Sequence, residues 1–248
     1  MKVLVLQFRE DASLEHERVC LQQLSSTNAE VDFTFLNLLE KTTILPTPQE
    51  LPTEYDRLIL GGSGELYVVS DPDKPDLRVA ALKKNFYPWL KEVLALDFPT
   101  LGTCFGFQLI LDCLGYPLTN ELAYRETGIL PITLTLAGKN SELFKKIDSP
   151  FFAVLGHRDS LPPGKYLGIE VLATSERCIQ AFRYRRNIYG TQFHSELDEE
   201  GLAVRLAMYP SYGETNAGQK MNIQPCKQAV RVTRNFLRPN FIQNTSIS

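Results

Sequence analysis

Pro99-Thr100-Leu101-Gly102-Thr103-Cys104-Phe105-Gly106-Phe107-Gln108 is the stretch whose reading decides the fold of this chain. Phe98 to Leu101 reads as a short strand and the apolar run from about Phe105 to Leu114 as a helix, so strand passes into helix within a few residues. The Gly102-x-Cys104-x-Gly106 spacing between them fits a nucleophile elbow, in which a reactive side chain stands at the tip of a sharp strand-to-helix turn. Glycines on either side are needed there, because neighbouring Cβ atoms would collide as the two elements close up. The helix N-terminus adds unpaired N–H groups and a partial positive charge that favour a thiolate. Taken alone, the pentapeptide also fits phosphate binding or plain packing of a small buried cysteine. Its partners elsewhere in the chain decide between these.

Working outward, Lys2 to Phe8 reads as a buried strand, Leu14 to Leu24 as a helix, Val31 to Leu36 as a strand, and Leu58 to Leu60 as a strand ending in Gly61-Gly62. A long amphipathic helix is predicted from about Leu77 to Leu96. Strands alternating with helices in this way predict a parallel sheet built of βαβ units. After Gly115 the texture becomes β-rich: Ile129 to Leu136, Phe151 to Leu155, Ile169 to Ala173, Cys178 to Tyr184 and Ile188 to Phe193, with Arg185-Arg186-Asn187 as the turn of a hairpin. Two C-terminal helices follow, Gly201 to Met208 and about Lys227 to Leu237, separated by a polar loop or lid over Tyr209 to Asn222. Asn244 to Ser248 reads as a frayed tail. The expectation is a single domain over 1–248, with 209–248 a loop and C-terminal helix extension.

The bulk properties narrow the function. With 44% hydrophobic and 22% charged residues among 248, a sizeable core is expected. A net charge of -3 gives no basic footprint for nucleic acid or an anionic membrane, so small molecules or a protein partner are expected instead. The N-terminal apolar run turns polar at once and no stretch is long enough to span a bilayer, which predicts a cytoplasmic protein. Five scattered cysteines without CxxC spacing argue against a disulfide framework or a structural zinc, and no metal or other cofactor is expected.

A thiolate nucleophile works best beside an imidazole, and the chain offers three histidines. His16 lies on the amphipathic first helix and is predicted to face solvent. His194 ends the apolar strand before Ser195-Glu196, and a spacing of two lets His194 and Glu196 share one face, the carboxylate orienting the ring. His157, in Gly156-His157-Arg158-Asp159, also ends an apolar run and stands second as base; binding of a metal with Asp159 lacks further ligands. Acyl transfer further needs two donors aimed at the developing oxyanion. The Phe105 N–H supplies one, and the Gly61-Gly62-Ser63-Gly64 turn is expected to supply the other through Gly62. Neither GK[ST] nor GxGxxG is present, so that turn is not read as a nucleotide site.

Taken together, Pro99 to Gln108, Tyr189 to Glu196 and the Gly61-Gly62 turn resemble the class I glutamine amidotransferase family, with Glu126-Thr127-Gly128-Ile129 and His157-Arg158-Asp159-Ser160 most like the glutaminase part of GMP synthase and its free-standing relatives. The resemblance covers roughly residues 1 to 200. It implies a flavodoxin-like α/β fold, an open mixed, mostly parallel sheet with helices on both faces plus a small antiparallel sheet. It also implies that Cys104 attacks the side-chain amide of glutamine, His194 shuttles the proton, Glu196 orients His194, Gly62 and Phe105 hold the oxyanion, and Gln108 lines the glutamine pocket. Phe107, Ser63 and Thr103 depart from the family pattern. Three readings stay open on this ground: a glutaminase-type amidotransferase releasing glutamate and ammonia, which a separate synthetase subunit could use; a γ-glutamyl peptidase; and a non-catalytic scaffold docking a partner through Arg183, Arg185 and Arg186.

Overall fold

The computed structural model describes residues 1–25, 30–69, 75–208 and 226–241. Nine strands are defined among them: β1 (Lys2–Phe8), β2 (Asp32–Asn37), β3 (Arg57–Ser63), β4 (Thr100–Thr103), β5 (Glu126–Leu134), β6 (Phe151–His157), β7 (Ile169–Thr174), β8 (Ile179–Tyr184) and β9 (Ile188–Thr191). The helices are α1 (Ser13–Ser25), the short turn α2 (Leu51–Glu54), α3 (Leu77–Ala95), α4 (Phe105–Cys113), the short α5 (Leu136–Lys139), α6 (Glu199–Met208) and α7 (Val230–Phe236). The expected loop over Tyr209 to Asn222 and the tail Asn244 to Ser248 lie outside the described residues.

The strands run in the order β2-β1-β3-β4-β9-β8-β7-β5-β6. From β2 to β9 every neighbouring pair is parallel, whereas β9, β8, β7, β5 and β6 follow one another antiparallel. The antiparallel strands thus continue the main sheet: Thr133 and Leu134 of β5 pair with β7, and the rest of β5 pairs with β6. The predicted hairpin joins β8 to β9, and Arg185 at its tip has φ 54°. Its arginines are engaged within the chain, Arg183 with Glu170 at 2.6 Å and Arg185 with the Ala95 carbonyl at 3.1 Å.

The two-residue period of the strands sorts the core into two layers. Leu4, Leu6 and Phe8 of β1 and Leu58 and Leu60 of β3 pack with Val79, Phe86 and Leu90 of α3 and Leu109 and Ile110 of α4. Val3 and Val5, Ile59, and Leu101 pack on the other side with Leu21 of α1 and Val232 and Phe236 of α7. Covering both faces explains why β1 reads as a continuous apolar run. The strand after Asp56 runs three residues beyond its predicted end, so Gly61, Gly62 and Ser63 belong to β3 and are not a free turn.

Helix α6 packs on α1, and this corrects the reading of His16. Its side chain is buried, Arg205 Nε of α6 donates to His16 Nδ1 at 3.3 Å, and the Cys20 thiol lies 3.4 Å from its Nε2. Burial first, and then the Arg205 charge, push the His16 pKa down. Amphipathic periodicity finds the face of α1 turned to the sheet; it does not register a second helix arriving from far along the chain. Among the described residues no helix is long and apolar enough to cross a membrane.

Candidate active site

β4 lies between β3 and β9 with all three parallel, so their C-terminal ends, carrying Gly62, Cys104 and the approach to His194, open at one edge of the sheet. Open α/β sheets bind ligands at this edge. The two elbow glycines let the elements meet. A Cβ on Gly102 would lie 2.6 Å from the Gly106 backbone, and one on Gly106 would lie 2.2 Å from the Leu60 carbonyl oxygen. Cys104, between strand and helix, has φ 52° and ψ -101°. That backbone conformation costs a non-glycine residue about 1–3 kcal/mol, and such strain gathers at active sites. The Cys104 N–H donates to the Thr191 carbonyl of β9 at 2.8 Å, which fixes the elbow against the strand that leads to His194.

β9 ends at Thr191, two residues before the predicted limit, and the chain then turns inward. The His194 N–H bonds to Val154 O of β6 at 2.9 Å. His194 and Glu196 are both buried, and Nδ1 of the ring lies 2.6 Å from Glu196 Oε1. Its Nε2 is buried, and Cys104 is close enough to act on the ring. Burial opposes the imidazolium, but the charges of Glu196 and Cys104 outweigh it and raise the His194 pKa to about 9. For Glu196, burial acts to raise the pKa; the His194 charge and hydrogen bond, reinforced by Arg205 and Arg9, bring it down to about 2. Each group thus favours the charged form of the other, and a short charge-assisted bond of this kind is strong inside a protein.

The cavity beside Cys104 has a volume of about 570 Å³ and is lined by Cys104, Phe105 and Gln108 from the elbow and by Ser63 and Gly64 from the end of β3. Phe105 opens α4, where backbone N–H groups have no intrahelical acceptor. Gln108 also lines the cavity, and its Nε2 is held by the Asp159 carbonyl at 3.0 Å and Gln192 Oε1 at 3.3 Å. Gly62 differs from expectation. Its N–H donates at 3.0 Å to Oε1 of Glu17, a buried carboxylate that also pairs with Arg9 at 3.2 Å and accepts from Gln7 at 3.0 Å. A buried carboxylate has to collect donors, and in this structure it takes the amide expected to serve the oxyanion. Gly62 still sits beside the base, since a Cβ there would lie 3.4 Å from His194 Cε1 and 2.6 Å from an Arg9 nitrogen.

Of the residues that depart from the family pattern, Ser63 lines the cavity, but Phe107 does not. Phe107 is fully buried against Phe182, with ring centroids 5.2 Å apart, so it belongs to the core and sets no pocket selectivity. Gln192 escapes a reading of the sequence alone. Its Nε2 lies 3.9 Å from Cys104 Sγ, and its position two residues before His194 in the predicted strand Ile188 to Phe193 is the signal that could have found it. Glu17, Arg9 and Arg205 carry no comparable signal, because each meets the site from a distant segment.

His157 lines the cavity as well, but in a different company. Nδ1 lies 3.0 Å from Ser160 Oγ and Nε2 lies 3.5 Å from Glu126 Oε2, so it is directed away from a role as the base of Cys104. Glu126, His157 and Cys178 bring ligand-type atoms within 4.8 Å of one another, the arrangement among the described residues that could be considered for a metal. Its chemistry is that of a hydrogen-bond cluster. Burial, and then Glu126, push the Cys178 thiol far above its ordinary range, so it stays protonated and donates to Glu126 Oε2 at 3.1 Å. The same oxygen accepts from Gln180 at 2.7 Å and Ser175 at 2.8 Å. Asp159 Oδ2 accepts the Val69 N–H at 2.9 Å and so holds the segment that carries Tyr67 against the cavity.

Comparison with known proteins agrees with this geometry. The family model described as "Glutamine amidotransferase class-I" matches residues 19–201. The chain is 32% identical over 121 residues to a GMP synthase [glutamine-hydrolyzing] of Malacoplasma penetrans, a match covering 47% of this chain and 22% of the relative. It is 34% identical over 114 residues to one subunit of the GMP synthase [glutamine-hydrolyzing] of Methanosphaera stadtmanae, covering 42% of this chain and 55% of the relative. In both cases it spans less than two thirds of the relative's length. A glutamine amidotransferase of Thermotoga maritima shares the fold at a TM-score of 0.69 and 20% identity, with 96% of each chain covered. With an elbow cysteine, a buried His-x-Glu pair and a family match over most of its length, the chain belongs to the class I glutamine amidotransferase family, whose members are cysteine-dependent amide hydrolases.

Proposed function

We propose that this protein hydrolyses γ-glutamyl amides, with glutamine the simplest of them, through a thioester on Cys104. What supports the reading is a strained, cavity-lining Cys104 together with a buried His194–Glu196 pair on the segment that follows β9, the Cys104 charge acting on the His194 ring. The sulfur adds to the side-chain carbonyl carbon, and as the C–N bond breaks His194 gives its proton to the leaving amine. Water then attacks the thioester, passing a proton to His194, and the C–S bond breaks to return the thiolate and release glutamate. Glu196 keeps the ring in orientation and favours its charged form. The Phe105 N–H serves the oxyanion from the start; Gly62 joins it when its amide exchanges Glu17 for substrate. Product analysis by mass spectrometry after incubation with glutamine tests the reading directly: glutamate must form, and must not form when Cys104 is blocked.

The electrostatics give a pH signature. The proton needed by the leaving amine sits on His194 and is lost as pH rises through about 9, so kcat/KM is expected to hold through neutral pH and to fall on that alkaline limb. Glu196→Gln removes the main charge that raises the His194 pKa, so the limb moves to lower pH while the nucleophile remains. A limb that stays in place in this variant removes Glu196 from the assignment. Because one relative is named as a single subunit of its synthase, a separate synthetase subunit using the ammonia is a second reading; co-purification of a synthetase, with glutamine turnover raised in the complex, tests it.

A further inference from the structure

The cavity is larger and more positively charged than hydrolysis of free glutamine requires. Beyond the elbow it is walled by Arg125, Arg158, Tyr67 and Leu122, and among the described residues that line it none is Asp or Glu. At about 570 Å³ it falls within the range of roughly 300–1,000 Å³ that encloses compounds well beyond a single amino acid. The two guanidinium groups are held without being neutralised. Arg125 is half-buried and its Nε donates to the Asn120 carbonyl at 2.9 Å, while Arg158 lies over the Tyr67 ring at 4.7 Å from its centroid. Neither forms an ion pair among the described residues. Planar guanidinium forks held in this way suit carboxylates, which they bind in bidentate fashion. Free glutamine brings one carboxylate, balanced by its own ammonium group. Two arginines without an acidic partner among the described residues, lining the same cavity as the reactive sulfur, match a substrate with a second carboxylate.

Resting on the thiol-hydrolase reading above, we propose that the preferred substrates are γ-glutamyl compounds whose leaving amine carries its own carboxylate, that is γ-glutamyl dipeptides and their extensions, and that Arg125 and Arg158 set this preference. The reaction remains balanced: the C–N bond to the amino acid breaks instead of the bond to ammonia, His194 protonates the departing amino group, and water completes the hydrolysis to glutamate. Ser63, in the place where the family pattern differs, and the exposed Leu122 line the same cavity.

The test compares three amides on the full chain: glutamine, γ-glutamylmethylamide, which has no second carboxylate, and γ-glutamylglycine, which has one. For the unaltered protein kcat/KM for γ-glutamylglycine is expected to exceed that for γ-glutamylmethylamide by about tenfold or more, the worth of one charge-assisted pair. Arg158→Gln and Arg125→Gln should each shrink that ratio, mainly through KM for γ-glutamylglycine, with unchanged unfolding midpoints certifying the fold. Equal or better use of glutamine and γ-glutamylmethylamide, or a ratio unmoved in both variants, overturns the assignment while the thiol-hydrolase reading stands. If none of the three amides is consumed in a Cys104-dependent manner, that reading falls and this assignment with it.

Discussion

Cys104→Ala is expected to lower turnover by at least about 10,000-fold and to abolish covalent labelling by a glutamine-analogue electrophile, because no other group can take over the thioester. Cys113→Ala should leave both intact. Cys113 is buried beneath α3, burial pushes its thiol up to about 11, and its sulfur lies 3.9 Å from the Tyr87 carbonyl. Intact-mass measurement after labelling separates the two variants, and equal labelling would refute the choice of nucleophile. The elbow adds a second readout. Alanine keeps the Cβ that makes φ 52° and ψ -101° unfavourable, whereas glycine does not. Cys104→Gly should therefore unfold later than Cys104→Ala, by about 1 kcal/mol in denaturant titration, although both are inactive. A fold that gains stability on losing its nucleophile's Cβ is one in which the strain serves the reaction.

Gly106→Ala should be the most damaging single substitution to stability near the site, costing more than about 3 kcal/mol. The added methyl would meet the Leu60 carbonyl oxygen at 2.2 Å, and that oxygen belongs to the backbone of β3, which cannot turn aside as a flexible side chain can. The helix would have to lift from the sheet, carrying Phe105 and Gln108 away from the cavity. Thermal or denaturant unfolding measures the loss; a variant that unfolds within about 1 kcal/mol of the parent would show that α4 does not need this close approach.

The elbow is legible in the sequence because its chemistry is local: two glycines, a cysteine and a change of periodicity lie within ten residues. The His194–Glu196 pair is legible for the same reason, being two residues apart on an apolar strand end. Element types also follow from periodicity, with boundaries displaced by a few residues, as where β3 runs on to Ser63 or β9 stops at Thr191. What stays hidden depends on long-range meetings. Arg205 reaches His16 from 189 residues away, and Glu17 reaches the Gly62 amide from 45 residues away. A single chain of letters does not say which helix will cover which. Phe107 shows the converse: it stands out in the sequence as a departure from the family pattern, whereas in the structure its ring turns into the core against Phe182.

Because β4 is flanked on both sides by parallel partners, its amide protons from Leu101 to Thr103 should be among the last to exchange with deuterated solvent, released when the whole molecule opens and not by fraying of an edge. The reactive sulfur is thus mounted on the stiffest part of the frame, and the arginines at the cavity mouth stand on more peripheral segments. Discrimination among substrates can then drift by exchange of those outer side chains while the bond-breaking apparatus keeps its alignment.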